Sequence, residues 1–142
     1  QFPPSFKNDD FGRQILRAVI NTFSDYRLAV ELRHRSWTDD VTTAELLRES
    51  NTCWVEIDEP KFSSSIAADV PLTSDMAYFR FHGRNYENWW KGNNETRYKH
   101  LYAEKELDEL GEQGWELCGI YKGKSVAYYY LKRPSTVAVK NK

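Results

Sequence analysis

The chain holds 142 residues (16.7 kDa), 40% hydrophobic, 15% aromatic and 29% charged, with a formal net charge of −1 and a pI of about 6.4. That profile excludes collagen-like, coiled-coil and wholly disordered chains, and it supplies no global positive field to attract nucleic acid. No apolar run approaches the roughly 18 residues of a membrane-spanning helix, and QFPPSFKNDD has neither the basic start nor the apolar stretch of a signal peptide.

The prolines of Phe2-Pro3-Pro4-Ser5-Phe6 fix φ and remove donors, so the chain starts extended. Over residues 12–23, Ile15, Leu16, Val19, Ile20 and Phe23 recur at helical spacing and predict an amphipathic helix. Arg27 to Leu32 alternates as a strand. Asp39 or Asp40 caps a second helix that presents Leu46 and Leu47. Thr52 to Asp58 is the second strand, stopped by Glu59-Pro60, and residues 61–76 read as loop. Ala77 to His82 is the third strand, closed by Gly83. Strands separated by helices argue for parallel β-α-β units. A polar, aromatic loop (Tyr86, Trp89, Trp90, Tyr98) follows, then a helix near 99–110. Two strands around Lys122-Gly123-Lys124 form an antiparallel β-hairpin, and residues 135–142 form a flexible tail. The domain expectation is therefore 1–107, 108–134 and 135–142.

Cys53 and Cys118 sit in apolar, strand-like contexts and read as buried free thiols of a cytoplasmic protein, the expected setting, since a disulfide between them would need secretion. Met76 is the only methionine. Gln1 is therefore not an initiator, and a longer reading frame or processing is expected.

The chemistry gathers at the strand ends. Alternation puts Glu31 and Arg33 on one face of the first strand, Trp54, Glu56 and Asp58 on one face of the second, and Tyr78, Arg80 and His82 on one face of the third. In parallel α/β folds ligands bind at the C-terminal ends of the strands, where Glu31, Arg33, Glu56, Asp58, Arg80 and His82 would converge. Three carboxylates, two guanidiniums and an imidazole supply acids, bases and anion clamps. The same charges can instead pair with one another as filling for a polar interior. Glu31, Asp58 and His82 are chemically suited to an oxygen-preferring divalent ion, but the two arginines would repel it, so no metal is expected. No cofactor motif is present: G-x-G-x-x-G, Walker, Cys-x-x-Cys and H-E-x-x-H sequences are all missing. His34 is expected to bond its own loop, and His100 to lie on a solvated helix face. Ser36 and the serines at 63–65 lack a nucleophile-elbow context.

Several stretches carry a family likeness: Gln1-Phe2-Pro3-Pro4-Ser5-Phe6, Ala29-Val30-Glu31-Leu32-Arg33-His34-Arg35-Ser36-Trp37, Arg80-Phe81-His82-Gly83-Arg84, and Arg97-Tyr98 through Leu107. In order and spacing, residues 1–107 resemble the YecE-like domain-of-unknown-function family 72, whose members are TIM barrels. The resemblance implies that the three strands are barrel strands five to seven, without the family's first half or its late aromatic-Asn-Asn strand. Leu110-Gly111, Gly114-Trp115-Glu116-Leu117 and Tyr128 to Pro134 resemble the small domain-of-unknown-function family 4177. The expected fold is thus α/β, a partial TIM-barrel-like set of parallel β-α-β units followed by the C-terminal hairpin. A barrel typically needs about 250 residues, so an open edge and self-association are expected.

Three functions are weighed. In the first, Arg33, Arg80, Arg84 and Trp89 bind a small anionic ligand, with Glu31 or Asp58 as base and His82 exchanging protons, which leaves enzymatic activity open. The alternative is a non-catalytic protein-interaction or self-association module. The third is a weak single-stranded nucleic-acid binder using the aromatic loop.

Overall fold

The computed structural model describes residues 1–112, 116–122 and 127–132. The chain divides into two units, residues 1–101 and 102–142, each taken by itself below.

In the first unit, helix α1 spans Asp10–Thr22, two residues earlier than its apolar pattern implies. The reason is its cap: Asp9 is extended and its carboxylate accepts from the Gly12 N–H at 2.7 Å, satisfying one of the donors a helix start leaves open. Leu16 and Ile20, one turn apart, are buried, whereas Phe23 ends the helix 46% exposed. Helix α2 spans Thr42–Glu49 and buries Ala44, Leu46 and Leu47. Asp40 serves its start, accepting from the Thr42 N–H at 2.9 Å. Its other oxygen takes the Arg13 guanidinium of α1 at 2.9 Å, which ties the two helix starts together.

Four short strands follow the predicted positions: β1 (Ala29–Val30), β2 (Cys53–Trp54), β3 (Glu56–Asp58) and β4 (Phe79–Phe81). β1 pairs with β2 and β3 with β4, both parallel. β2 and β3 run in succession along one segment, with the Val55 N–H between them bonded to the Val30 carbonyl. That segment is therefore the middle of three parallel tracks.

The predicted loop of 61–76 holds no regular element but closes the core. Ile66 and Val70 join the apolar cluster of Leu16, Val30, Leu32, Trp37, Leu47, Trp54 and Ile57. Buried Thr73 accepts from the Trp54 N–H at 2.9 Å and donates to the Thr52 carbonyl at 2.6 Å, acting as a backbone partner would. At the N-terminus, Phe2 stacks on Phe6 and Phe6 on Trp37 (centroids 4.1 and 5.2 Å). The Trp37 indole donates to the Phe6 carbonyl at 2.8 Å, and the Phe2 N–H bonds the Glu31 carbonyl at 3.0 Å, so the extended start lies beside the end of β1. The aromatic loop after Gly83 contains a short helix, α3 (Asn94–Arg97), that residue patterning did not announce. Asn93 starts it by accepting from the Thr96 N–H at 3.0 Å.

In the second unit, α4 spans Glu104–Glu112, and β5 (Glu116–Lys122) pairs antiparallel with β6 (Ala127–Lys132), with a register shift between Leu117 and Gly119. The Lys122-Gly123-Lys124 turn is only partly covered, because 123–126 lie outside the described residues, as does the whole expected tail of 135–142. Among the described residues no helix is long and apolar enough to cross a membrane.

Candidate functional site

Register decides which side chains meet. Ile57 is opposite Arg80, while Glu56 and Asp58 are opposite Phe79 and Phe81. Paired residues on neighbouring strands project to the same side and successive ones to opposite sides. Glu56 and Asp58 therefore share the phenylalanine face. On the β1–β2 side Ala29 is opposite Cys53, so alternation carries Glu31 and Arg33 to the side of Val55, Ile57 and Glu59. The expectation that Glu56 and Asp58 converge with Glu31 and Arg80 is corrected. The middle track offers its apolar residues to that face, and its carboxylate there is Glu59.

The contacts agree with this assignment. Arg33 Nη2 donates to Glu59 Oε2 at 2.5 Å. Arg80 Nη1 donates to Glu31 Oε2 and, at 3.0 Å, to the Gln1 side chain. His82 Nε2 lies 3.4 Å from Glu31 Oε1 and Arg33 Nε lies 3.8 Å from the same oxygen. The His82 contact is a long one and the Arg33 contact is electrostatic, and Glu31 Oε1, Arg33 Nε and His82 Nε2 are all buried. Burial alone would raise the Glu31 carboxyl, but His82 and the Arg80 guanidinium outweigh it and hold Glu31 below the ordinary carboxylate range, so it is ionised at neutral pH. The Glu31, Glu59 and His82 side chains are 3%, 3% and 6% exposed and Arg33 is 11%, whereas Arg80 stands 35% exposed at the rim.

Trp89 is the aromatic wall of this cluster. It is buried, the Arg33 guanidinium sits 5.8 Å from its ring centre, and His82 and Tyr98 both meet it edge-on, at 6.2 and 6.0 Å. Its neighbour Trp90 points outward and groups with Phe62, which Tyr86 also meets.

The remaining candidates lie elsewhere. Arg84 holds Asp58 through both carboxylate oxygens at 3.0 Å. Glu56 accepts from the Val70 N–H at 2.7 Å, and burial pushes its carboxyl up to about 7. His34 bonds its own loop, as expected: Nδ1 accepts from the Ser36 N–H at 3.1 Å and caps the short turn Arg35–Trp37. His100 precedes α4 instead of riding on a helix, and it packs close to Gly83. Among the described residues no group of three or more His, Cys, Asp or Glu is placed to hold a metal ion. A groove of about 240 Å³ between α1 and α2, lined by Arg17, Ile20, Asn21, Leu46, Glu49 and Ser50, lies toward the C-terminal ends of both helices.

Two members of the cluster escaped residue reading. Glu59 passed for a strand stop beside Pro60, although i, i+2 spacing from Ile57 was a usable signal. Gln1 reaches Arg80 only through tertiary folding, which no local pattern reveals.

Comparison with known proteins places this architecture. Residues 1–142 match the family described as "Protein of unknown function DUF72". The UPF0759 protein YunF of Bacillus subtilis (strain 168) is 30% identical over a 119-residue alignment that covers 77% of this chain and 42% of that protein. A crystal structure of a DUF72 family protein from Thermotoga maritima MSB8 superposes with a TM-score of 0.72 at 44% identity, covering 79% of this chain and 42% of the other. A DUF72 family protein from Enterococcus faecalis V583 gives 0.68 at 26% identity, covering 80% and 44%. The chain spans about two fifths of the length of these relatives.

Proposed function

The chain belongs to the family of unknown function DUF72, and we propose that its strand-end cluster binds a small anionic ligand. The observation that carries this reading is Arg80. Its guanidinium meets both Glu31 and Gln1 through Nη1, and at 35% exposure the side chain is within reach of an incoming anion. A guanidinium edge suits carboxylate or phosphate through paired hydrogen bonds. Buried Arg33 adds positive potential from below while Glu59 and Trp89 fix its position. Where the ligand is turned over, Glu31 and His82 are the groups placed to move a proton; Asp58 and Arg84, paired with each other, stand outside this core.

A thermal-shift series with phosphate, carboxylates and sugar acids tests the site. Stabilisation by one anion class that is lost in Arg80→Ala is the expected result. No response to any anion, or an equal response in Arg80→Ala, overturns it.

A second reading is favoured by the exposed aromatic group of Phe62, Tyr86 and Trp90, the last 63% exposed. Such a patch suits self-association, and a strictly monomeric mass across a concentration series would dispose of it. The finer architecture is likewise proposed. Charged side chains at the ends of parallel tracks support a portion of a YecE-like TIM barrel. The kinship of the tail with family 4177 is supported by residue resemblance alone, since the DUF72 match runs through those residues. A cytoplasmic setting is supported by the buried free thiol of Cys53.

A further inference from the structure

We propose that the groove between α1 and α2 binds a free aliphatic α-amino acid, with Arg17 taking its carboxylate, Glu49 its ammonium, and Ile20 and Leu46 its side chain. The groove is separate from the strand-end cluster, and the inference does not depend on that reading.

The two helices run side by side. Their starts are tied by Arg13 and Asp40, and their later turns meet again around a space of about 240 Å³. That is smaller than the roughly 300–1,000 Å³ of a pocket for a drug-sized molecule, so the occupant is small. α1 contributes Arg17, Ile20 and Asn21, and α2 contributes Leu46, Glu49 and Ser50. On each helix these lie at i, i+3 and i+4 and so share one face. Ile20 and Leu46, 7% and 6% exposed, make an apolar floor between exposed polar rims. The charged residue precedes the floor residue on α1 and follows it on α2. The guanidinium therefore belongs to the inner end of the groove and the carboxylate to the end where both helices stop.

The charges on the rims are open to a ligand. Ser50 Oγ is engaged by its own helix, bonding the Leu46 and Leu47 carbonyls at 3.2 and 3.1 Å. Arg17, Asn21 and Glu49 have neither a hydrogen bond nor an ion pair among the described residues, with one another included. Arg13, one turn before Arg17, is by contrast held by Asp40. The last turn of α1 carries no basic residue, so its carbonyl end adds partial negative charge where Glu49 stands. This polarity selects the ligand. A lone anion would meet Arg17 but oppose Glu49, and a lone cation would do the reverse. A neutral apolar molecule would cover the floor while drawing water away from both charges. An α-amino acid carries both charges on one carbon, and an aliphatic side chain on that carbon matches Ile20 and Leu46. Its carboxylate accepts from the Arg17 guanidinium and its ammonium donates to Glu49.

Calorimetric titration of the full chain with L-leucine and its two single-charge relatives, 4-methylpentanoate and isopentylamine, tests the assignment. L-Leucine is expected to bind about tenfold more tightly than either, the range of one charge-assisted hydrogen bond. Arg17→Gln should bring L-leucine down to the level of isopentylamine, and Glu49→Gln to that of 4-methylpentanoate. Both substitutions replace exposed side chains by one that helices accept, so both chains fold. No binding of L-leucine overturns the proposal, as does binding no tighter than that of the single-charge compounds. L-Leucine binding that both substitutions leave unchanged overturns it as well. Arg80→Ala should leave L-leucine binding as it is; a loss there would place the amino acid at the strand ends and remove it from the groove. The anion-site reading stands or falls by its own thermal-shift series, so the two failures are told apart.

Discussion

Arg33 Nη2 donates to Glu59 Oε2 at 2.5 Å, and the two side chains are 11% and 3% exposed. The pair joins the end of the first track to the end of the middle one. Removing one member of a buried pair strands the other charge, which typically costs about 3–5 kcal/mol. Glu59→Ala should therefore lower the urea midpoint sharply, and Glu59→Ala with Arg33→Met should recover much of the loss. A double variant no more stable than Glu59→Ala alone would show that the pair is not what the stability depends on.

Glu56 predicts a pH dependence of opposite sign to that of most carboxylates. Its folded value is raised to about 7 from 4.5, chiefly by burial. The folded chain therefore holds the proton through a range where the unfolded chain has released it. Stability must fall as pH rises from about 4.5 to about 7 and then level off. The full contribution is at most about 3 kcal/mol, from 1.36 kcal/mol for each pKa unit. Glu56→Gln keeps an acceptor for the Val70 N–H while removing the charge. It should flatten this part of the curve and be the more stable chain at pH 8. An unchanged slope between pH 5 and 7 in urea titrations would rule Glu56 out as its source.

Helices α1 and α2, the three parallel tracks and the polar strand ends were legible in the residues, because spacing and caps are local. Which face each carboxylate occupies was not. Where both faces of a parallel strand are buried, polarity along the chain no longer reports the side, and a one-residue difference in register exchanges every side chain. Val55 and Ile57 look like a helix-packing face, yet they accompany Arg80. Glu56 looks like a site residue, yet its partner is the backbone of Val70, fourteen residues on in a segment without periodicity. Thr73 completes β2 from the same segment. Such long-range satisfaction of polar groups leaves little mark on local sequence, and the cluster was misdrawn at the residues that depend on it.

Arg80→Met tests the electrostatics of Glu31. Glu31's folded value lies below 4.5, with burial opposing the shift and His82 and Arg80 outweighing it. The stability it contributes is present above the unfolded value and lost as pH falls through the lower folded one. Removing Arg80 raises the folded value, so the acid limb of the stability curve moves to higher pH. The loss at neutral pH should be about 1–2 kcal/mol, below the range for a fully buried pair because Arg80 is one-third exposed. Denaturation from pH 3 to 7 separates the outcomes: an acid limb that stays in place would mean that His82 alone holds Glu31 ionised.

Gly83 joins the strand end to the loop that carries Arg84 and Trp89. Its φ is +81°, and a Cβ built there would stand 2.7 Å from the Cβ of His100. The clash is with the root of a side chain, so rotation cannot relieve it; the 83 or 100 backbone must shift. Left-handed strain adds about 1–2 kcal/mol and overpacking about 1–3, so Gly83→Ala should lose about 2–5 kcal/mol. Because His82 and Arg84 flank it, any anion-induced thermal shift should fall as well. Gly111 is the matched control, a helical glycine in α4 with nothing within 4 Å of a built Cβ. Gly111→Ala should be neutral or stabilising by up to about 1 kcal/mol, with the ligand response intact. Equal losses from the two substitutions would mean that alanine acts through something other than the local φ and the His100 contact.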